Sequence, residues 1–402
     1  MTTTDTRRMH PGLIALAMGG FGIGLTEFSI TGLLTDVAAD LRVTIPAAGG
    51  LVTGYALGVV VGAFTVTLAL VSRPPKTALQ ILLALFVIGN LVCAFGPTYE
   101  IVLAGRIITA LCHGGFFGIG AVLAARLVTP ERQASAIALM FAGLTVANVL
   151  GVPAGTALGH RFGWRATFVA VALIGVLAIA AIAAFVPNLP PATTSVRSQI
   201  TVLLQPSVWI ACAVTALVFG GLFGAFTYIE PLLREVTGFG PGAIPWILVL
   251  FGVGLFAGNL VGGRAADRDA DRGLIVFAGL LPLAIAAVAV CAGSKPLVVL
   301  ALMVMGAVGF ATVPALQLRV LRNAGTATLI ASSANIAGFN LGNAAGAQFG
   351  GMGISAGGGP TMPVWIGVAL SGAGALLAAA SIAWERRNRA ARPDARLDHV
   401  TA

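Results

Sequence analysis

Charged side chains are scarce in this sequence. Asp, Glu, Lys and Arg make up 9% of the 402 residues and hydrophobic residues make up 58%, whereas a soluble globular domain carries about 25% charged residues. So few charges cannot cover the surface of a water-soluble protein of this length. Lipid must therefore replace water over most of that surface, which predicts a membrane protein.

Cysteine is also rare, and the motifs of familiar enzymes are absent. The four cysteines lie inside apolar runs without C-x-x-C or Cys/His spacing, and the four histidines are scattered, so we expect no disulfide and no metal site. The sequence has no G-x-S-x-G, no H-E-x-x-H and no Walker loop. We therefore expect no enzymatic activity and no use of ATP.

Long apolar runs fill most of the chain. Each run is close to the roughly 20 residues that a helix needs to cross a bilayer, which predicts an all-α membrane protein with twelve transmembrane helices. The first run follows Arg7 and Arg8 like a signal peptide, but it is longer than a signal h-region and no clear cleavage site follows, so we expect a retained helix. The predicted spans are 12–34, 47–71, 77–96, 99–125, 134–158, 164–187, 207–230, 242–263, 273–292, 296–318, 328–352 and 363–384.

The basic residues that give the net charge of +9 are concentrated in alternate loops. Of the 23 Lys and Arg residues, 17 lie in one alternating set of loops and 5 in the other, and Arg106 lies within a span. This is the positive-inside pattern and not a nucleic-acid surface. It predicts a multi-pass protein of a bacterial inner membrane, with both termini in the cytoplasm.

The longest polar gap divides the spans into two groups of six. It contains Pro190, Pro191 and a Thr/Ser cluster. We expect a first six-helix bundle at 1–187, a cytoplasmic linker at 188–205, a second bundle at 206–385 and a basic cytoplasmic tail at 386–402.

Glycines recur every four residues in the second and fifth spans of each half, which supports an internal repeat. The spacing places them on one helix face, where backbones approach closely. Two interpretations are open: general membrane packing, or smooth surfaces along which helices rock. The ladders are Gly50, Gly54, Gly58 and Gly62; Gly143, Ala147, Gly151, Gly155 and Gly159; Gly254, Gly258 and Gly262; and Gly338, Gly342, Gly346 and Gly350.

Two charged residues lie deep within predicted spans. Glu27 lies seven residues before the end of the first span, and Arg106 lies seven residues after the start of the fourth. Because these two spans run in opposite directions, both residues lie roughly 10 Å from the outer side of the membrane. A charge at the bilayer centre costs at least ~2.5–3.5 kcal/mol. Their common level permits an ion pair, which would serve either as a protonation switch or as a static structural contact.

Three further polar residues are candidates for substrate binding. His113 lies seven residues after Arg106, on the same helix face, and Gln317 and Asn340 lie in later spans. The alternative for each is a packing role in which it hydrogen-bonds to neighbouring helices.

Three short segments carry a resemblance to a known family. They are Gly24-Leu25-Thr26-Glu27-Phe28, the run from Arg106 to Gly114, and Gly151-Val152-Pro153-Ala154-Gly155. They resemble the major facilitator superfamily, in particular the drug/proton antiporters that export chloramphenicol, arabinose or purines. The resemblance implies two pseudo-symmetric six-helix bundles around a central cavity lined by the first, fourth, seventh and tenth helices. It also implies proton coupling by the fourth-helix arginine, an efflux direction set by the fifth-helix motif, and glycine-laddered helices at the seam between the bundles.

A fourth segment is similar to the cytoplasmic loop motif of the same family. The second half retains Gly263, Asp267 and Arg268, whereas Leu68 and Ser72 replace the glycine and aspartate in the first half. The resemblance implies roles in conformational change for six residues: Gly151, Pro153, Gly155, Gly263, Asp267 and Arg268.

The leading hypothesis is a proton-coupled exporter that works by alternating access, with Glu27 and Arg106 coupling the proton. Its partners would be a small molecule, protons and the lipid bilayer; we expect a monomer, no nucleic acid, and no cofactor beyond the proton gradient. A facilitator or proton symporter on the same fold is the alternative, and a membrane enzyme or scaffold is a third class. Amphenicols, sugars, nucleosides and lipophilic cations all remain open as substrates.

Overall fold

The structure is a computed structural model that describes residues 10–191, 196–325 and 328–390. Helices dominate these residues, and no strand occurs among them. Arg7 and Arg8, residues 192–195 of the predicted linker and residues 391–402 of the predicted tail lie outside the described residues.

Twelve long helices make up this part of the chain, as predicted. Ten helical segments are long and apolar enough to cross a membrane; one of them contains two helices, and α11 completes the set. The helices are α1, Pro11–Ser29; α2, Ile45–Leu70; α3, Pro75–Phe95; α4, Tyr99–Arg126; α5, Pro130–Phe162; α6, Trp164–Phe185; α7, Pro206–Thr227; α8, 244–268; α9, 270–290; α10, Lys295–Asn323; α11, Thr328–Gly353; and α12, Met362–Ala390.

Three short helices, apart from single turns, lie outside the spans in the described residues, and the third, at 229–236, follows α7 and carries Glu230 and Arg234. The first span ends at Ser29, earlier than predicted, and a short turn leads to the helix Leu34–Asp40. The second short helix, Val196–Val202, lies in the predicted linker between α6 and α7 and is called the linker helix below.

The corner between α8 and α9 is a single residue. Asp269 has φ −159° and ψ 102°, which breaks the continuous helix Ile244–Val290 into two. Its Oδ1 accepts a hydrogen bond from the N–H of Arg272 at 2.9 Å, the geometry by which an aspartate caps the start of a helix. The predicted gap between these spans, 264–272, is therefore helical on both sides of one extended residue.

Pro153 has a local structural consequence in α5. Proline has no N–H, so the helical carbonyl four residues earlier loses its partner. A π-helical turn, Ala147–Gly151, lies directly before Val152 and Pro153. Such wide turns are one way in which a helix absorbs a missing hydrogen bond.

All four glycine ladders pack against a helix of their own half. A Cβ added at Gly58 of α2 would lie 2.8 Å from the Cβ of Ala110 on α4, and one at Gly254 of α8 would meet the backbone of Met303 on α10. In the same way the ladder of α5 faces α1, and that of α11 faces α7. Because the same pairings recur, the molecule consists of two pseudo-symmetric six-helix bundles.

The laddered helices also form the seam between the two bundles. Helix α5 packs against α8, and α11 packs against α2 and α4. Their glycines, however, are directed mainly into their own bundles. Of the two interpretations of the ladders, these contacts favour packing: the ladders hold each bundle together, and other residues meet across the seam.

The side on which α1 begins and α12 ends is called the basic face below; it also holds residues 71–74, 127–129 and the corner at Asp269. A buried ion-pair network lies there in the second bundle. Arg319 of α10 donates to Asp271 of α9 at 2.7 Å and to Glu385 of α12 at 2.8 Å. One guanidinium thus connects the ends of three helices.

We predict that Gly258→Ala destabilises the protein, because the added Cβ would overlap the backbone of Ala307 on α10. Overpacking of this kind costs about 1–3 kcal/mol. Thermal unfolding of the purified protein in detergent measures the effect. Gly279→Ala is the matched control, since no atom lies within 4 Å of a Cβ added there. Equal melting temperatures for the two variants would contradict the packing role of the ladder.

Candidate functional site

A fully buried arginine connects α1, α2 and α4. Arg106 of α4 is 0% exposed; its Nη1 donates to the carbonyl of Thr26 on α1 at 2.6 Å, and its Nε to that of Leu51 on α2 at 3.4 Å. Its guanidinium lies 4.3 Å from the ring centre of Tyr55. The second amino group, Nη2, has no hydrogen-bond partner in the described part of the chain. This arrangement places Arg106 directly beside the backbone that carries Glu27.

The carboxylate of Glu27 lies beside a histidine. Its Oε2 is 3.8 Å from Nδ1 of His113, and that same nitrogen is 3.1 Å from the hydroxyl of Tyr55. The side chain of Glu27 is 15% exposed. The sequence allowed an ion pair between Glu27 and Arg106, but among the described residues no such contact forms in this conformation. Arg106 is occupied by backbone carbonyls, and His113 is the basic side chain that lies within 4 Å of the carboxylate.

The helix that carries Glu27 is also held from the side of α3. The hydroxyl of Thr26 donates to Oδ1 of Asn90 at 2.7 Å, and the amide of Asn90 donates to the carbonyl of Phe86 at 2.8 Å. With its carbonyl bonded to Arg106 and its hydroxyl to Asn90, Thr26 is fixed on two sides. The neighbouring carboxylate is therefore held on a rigid element.

A small cavity lies between the bundles in front of Glu27. The volume of the cavity is about 50 Å³. It can hold a few water molecules but no drug or sugar. Both bundles line it, and phenylalanines predominate. Its lining residues are Glu27, Phe28, His113, Phe141, Leu144, Asn148, Phe219, Phe223, Phe310, Val313, Ile336, Phe339, Asn340 and Asn343.

Three of the predicted site residues line this cavity: Glu27, His113 and Asn340. Arg106 lies behind the wall, packed on Tyr55. Gln317 does not line the cavity in this conformation. Its side chain is fully buried and donates to the hydroxyl of Ser332 at 2.5 Å and accepts from Asn335 at 2.8 Å. Gln317 therefore joins α10 to α11 within the second bundle.

Sequence reasoning missed the aromatic half of the cavity. Phe219 and Phe223 are spaced four apart on α7, so they share a helix face, and both reach the cavity together with Phe310 and Phe339. Asn343, three residues after Asn340 on α11, also lines it. The four-residue spacing was the available signal, but apolar rings that face lipid show the same spacing.

The fifth-helix motif packs against the helix of Glu27. A Cβ added at Gly151 would lie 3.0 Å from Leu25 Cδ1, and one at Gly155 would lie 2.9 Å from the Oγ of Ser29. These contacts lie on either side of Glu27 along α1. Gly151, Gly155 and the π-turn before Pro153 therefore control how closely α5 approaches the proposed proton site.

Asp267 joins the two bundles at the basic face. Its carboxylate accepts hydrogen bonds from the N–H groups of Ala134 at 2.8 Å and Ser135 at 3.2 Å, so a side chain of α8 caps the start of α5. One turn earlier, Gly263 lets the two helices approach, since a Cβ there would lie 2.7 Å from that of Ala138. Arg268 instead donates to the carbonyl of Arg264 in its own helix at 3.3 Å, beside an open cavity of about 610 Å³.

Further hydrogen bonds close the seam on the same side. The amide of Asn259 on α8 donates to the carbonyl of Ala138 on α5 at 2.5 Å. Thr67 of α2 donates to Ser333 of α11 at 3.0 Å, and Ser332 donates to the carbonyl of Gly118 on α4 at 2.8 Å. In the part of the chain that the structure describes, the direct hydrogen bonds between the bundles all lie towards the basic face. This conformation is therefore closed at the basic face.

The described residues contain no group of three or more His, Cys, Asp and Glu side chains that could hold a metal ion. The cavity wall thus presents an acid, an imidazole and asparagine side chains within a largely aromatic surface.

Known proteins with similar sequences are transporters. The family model described as Major Facilitator Superfamily matches residues 16–328. The chain is 44% identical over 366 residues to the inner membrane transport protein YdhP of Escherichia coli K12, covering 91% of this chain and 94% of YdhP. It is 36% identical over 340 residues to the chloramphenicol resistance protein of Streptomyces lividans, covering 83% and 86%. The solved structure of the E. coli fucose:proton symporter FucP shares the fold, with a TM-score of 0.74, 14% identity, and coverage of 92% and 98%.

We predict that Asp267→Ala loosens the closed basic face, because the first N–H groups of α5 lose their acceptor. Loss of such a cap costs roughly 0.5–2 kcal/mol, so the amides of residues 133–138 should exchange with solvent faster, as measured by hydrogen-exchange mass spectrometry.

Asp269→Ala is the matched control for that experiment, since the carboxylate of Asp269 caps α9 within its own bundle. Faster exchange at residues 133–138 in the control alone, or in neither variant, would contradict the role of Asp267 as a contact between bundles.

Proposed function

Because this chain belongs to the major facilitator superfamily and is a membrane transporter of small molecules rather than an enzyme, we propose that it exports its substrate in exchange for protons. The observation that carries this proposal is the carboxyl group of Glu27. It lies in the wall of the cavity between the bundles, where an apolar, aromatic lining surrounds it. An intramembrane acid is costly to keep charged, and such acids commonly mark a proton path.

The neighbours of Glu27 provide a switch between two states. When charged, the carboxylate is attracted to a protonated His113, whose Nδ1 lies 3.8 Å away, because opposite charges attract at that separation. When protonated, it is neutral and suits the apolar cavity. The unpaired Nη2 of Arg106 offers a second partner that Glu27 would meet after a small movement of α1. An unpaired buried donor costs about 1–3 kcal/mol, which favours that exchange of partners.

Movement of the two bundles would deliver the substrate. We take 1–187 and 206–385 as the moving units and 188–205 as their linker, with rigidity supplied by the glycine ladders inside each bundle. The contacts of Gly263 and Asp267 with α5 would break as the basic face opens, while Gly151, Pro153 and Gly155 would guide α5 along α1. The cavity of about 50 Å³ must enlarge before a substrate enters, which fits alternating access.

The distribution of Lys and Arg among the loops indicates how the protein is oriented in the membrane. The basic face would lie in the cytoplasm, with both termini, because Lys and Arg concentrate in its loops. A bacterial inner membrane is the proposed location, as for YdhP. The proton gradient would drive transport without a cofactor, and a monomer contains the whole cavity.

A proton symporter or a facilitator is the alternative on the same fold. The shared fold with the fucose:proton symporter FucP leaves the direction open. The resemblance of the Gly151–Gly155 segment to an antiporter motif, and the relation to a chloramphenicol resistance protein, favour export.

We predict that Glu27→Gln abolishes proton-driven transport, because the amide cannot exchange a proton. Everted membrane vesicles with an acidified interior should accumulate a labelled candidate substrate when they carry the wild-type protein, with chloramphenicol and arabinose tested separately. The variant should fall to the level of empty vesicles, yet retain substrate exchange in the absence of a gradient.

Glu230→Gln is the control, because Glu230 lies near the opposite face and pairs with Arg234 at 3.0 Å on its own helix. Undiminished accumulation by Glu27→Gln would show that this carboxyl does not couple the proton. Accumulation by the wild type only when the vesicle interior is alkaline would support a symporter instead.

A further inference from the structure

Both bundles contribute phenylalanines to the central cavity, and the acid and the imidazole of its wall come from the first bundle. The second bundle contributes a continuous aromatic surface made of Phe219, Phe223, Phe310 and Phe339, called the phenylalanine wall below. The ring centre of Phe219 lies 4.3 Å from that of Phe339, 5.7 Å from that of Phe310 and 5.8 Å from that of Phe223. Such spacings are those of favourable aromatic contacts, and a further ring can extend the cluster.

Hydrogen-bond acceptors lie opposite and beside this wall. Glu27 of the first bundle faces the cavity, and Asn343 of α11 also lines it. The Oδ1 of Asn343 is buried and has no hydrogen-bond partner in the described part of the chain. A buried acceptor left without a donor is unfavourable, so a ligand that donates a hydrogen bond there would satisfy it.

The remaining polar groups are poorly suited to a sugar. The side-chain amides of Asn148 and Asn340 already donate to the carbonyls of Leu144 and Ile336 in their own helices. A sugar carries a hydroxyl on nearly every carbon, and each hydroxyl loses its water on entering the cavity. The polar side chains of the lining offer mostly acceptors and the rest of the lining is apolar, so the hydroxyls that meet the apolar part would be buried without partners.

We propose that the transported compound is an amphipathic aromatic molecule: a planar ring that stacks on the phenylalanine wall, joined to a short end whose hydroxyl, amide or amine donates to Glu27 and Asn343. Polyhydroxylated sugars are poor ligands. This inference rests on the transport function proposed above and specifies its substrate class.

Binding to the purified wild-type protein tests the proposal, with chloramphenicol and tryptamine as aromatic donors and arabinose as the polyol. Isothermal titration calorimetry should show saturable binding of an aromatic probe and none of arabinose. Phe219→Ala should weaken that binding about tenfold, which corresponds to one ring contact. Phe349→Ala is the control, because its side chain is exposed on the surface of α11 and does not line the cavity.

A second variant separates recognition from folding. Asn343→Leu keeps the size of the side chain but removes the acceptor, so it should weaken chloramphenicol more than nitrobenzene, which has the ring without the donors. Equal losses for the two probes would overturn the role of Asn343. Binding of arabinose as tight as that of the aromatic probes, or no binding of either aromatic probe, would overturn the substrate class.

These outcomes are distinct from failure of the proposed function. Proton-driven transport of arabinose but not chloramphenicol would overturn the substrate class and leave the exporter intact. Chloramphenicol transport that is unaffected by Glu27→Gln would leave the substrate class intact and overturn proton coupling.

A second, independent observation concerns the linker helix. In the pseudo-symmetric second half, Asp267 caps the start of α5. The corresponding loop of the first half has Ser72 in place of the aspartate. The start of α11 nevertheless has an acceptor: the N–H of Ile330 donates at 3.1 Å to Oε1 of Gln199, a fully buried residue of the linker helix.

Apolar packing strengthens the same contact. Leu68, which replaces the glycine of the loop motif, packs against a buried cluster that includes Val202 of the linker helix and Ile330 and Ala331 of α11. We infer that the linker helix has taken over the task of the missing loop aspartate and holds the start of α11 when the basic face is closed. The two sides of the seam then differ, with a carboxylate at α5 and a neutral amide at α11.

Hydrogen exchange tests this inference. Gln199→Leu should speed exchange of the amides at residues 328–333 without affecting residues 133–138, and Gln199→Glu should restore slow exchange because it retains an acceptor. Gln205→Ala, an exposed position after the linker helix, is the control. Unchanged exchange in Gln199→Leu, or equal acceleration at both helix starts, would overturn the assignment.

Discussion

The hydrogen bonds of a single buried guanidinium determine how the first bundle presents its acid. Arg106 is removed from both water and lipid, and it is tolerated because backbone carbonyls of α1 and α2 and the ring of Tyr55 surround it. Since a buried charge needs such partners, the three helices cannot separate without exposing it to an apolar environment. Glu27 is the next residue after Thr26, whose carbonyl Arg106 binds. The position of the carboxylate in the cavity wall is therefore a consequence of where the arginine is satisfied.

The contacts that hold each bundle together and the contacts that join the two bundles are made by different residues. Inside each bundle, glycines let backbones touch over the length of a helix, and this packing is lost only by unfolding. Across the seam the bundles meet through a few hydrogen bonds near the basic face, including those of Asp267, Asn259 and Ser332. Each such bond is worth little, because water can replace either partner. The fold thus combines two stiff bodies with a contact that breaks at small cost.

Much of this architecture could be predicted from the sequence, because bilayer thickness and loop charge act on the chain as one-dimensional constraints. The twelve helices, the repeat and the common level of Glu27 and Arg106 follow from them. The partner of Glu27 could not be predicted, since the choice between Arg106 and His113 depends on side-chain direction. The direction of Gln317 could not be predicted either, and in this conformation its side chain contacts α11. The phenylalanine wall could not be recognised, because a ring that faces a cavity and a ring that faces lipid have the same hydropathy.

The corner at Asp269 has a mechanical consequence. One extended residue joins α8 to α9, so there is no slack with which either helix could shift along its axis independently. Asp267 lies just before this corner, and Asp271, which pairs with Arg319, lies just after it. A displacement of α8 away from α5 must therefore pull the start of α9, and through the guanidinium also the ends of α10 and α12. Loss of the contact at the start of α5 would therefore displace α8, α9, α10 and α12 together.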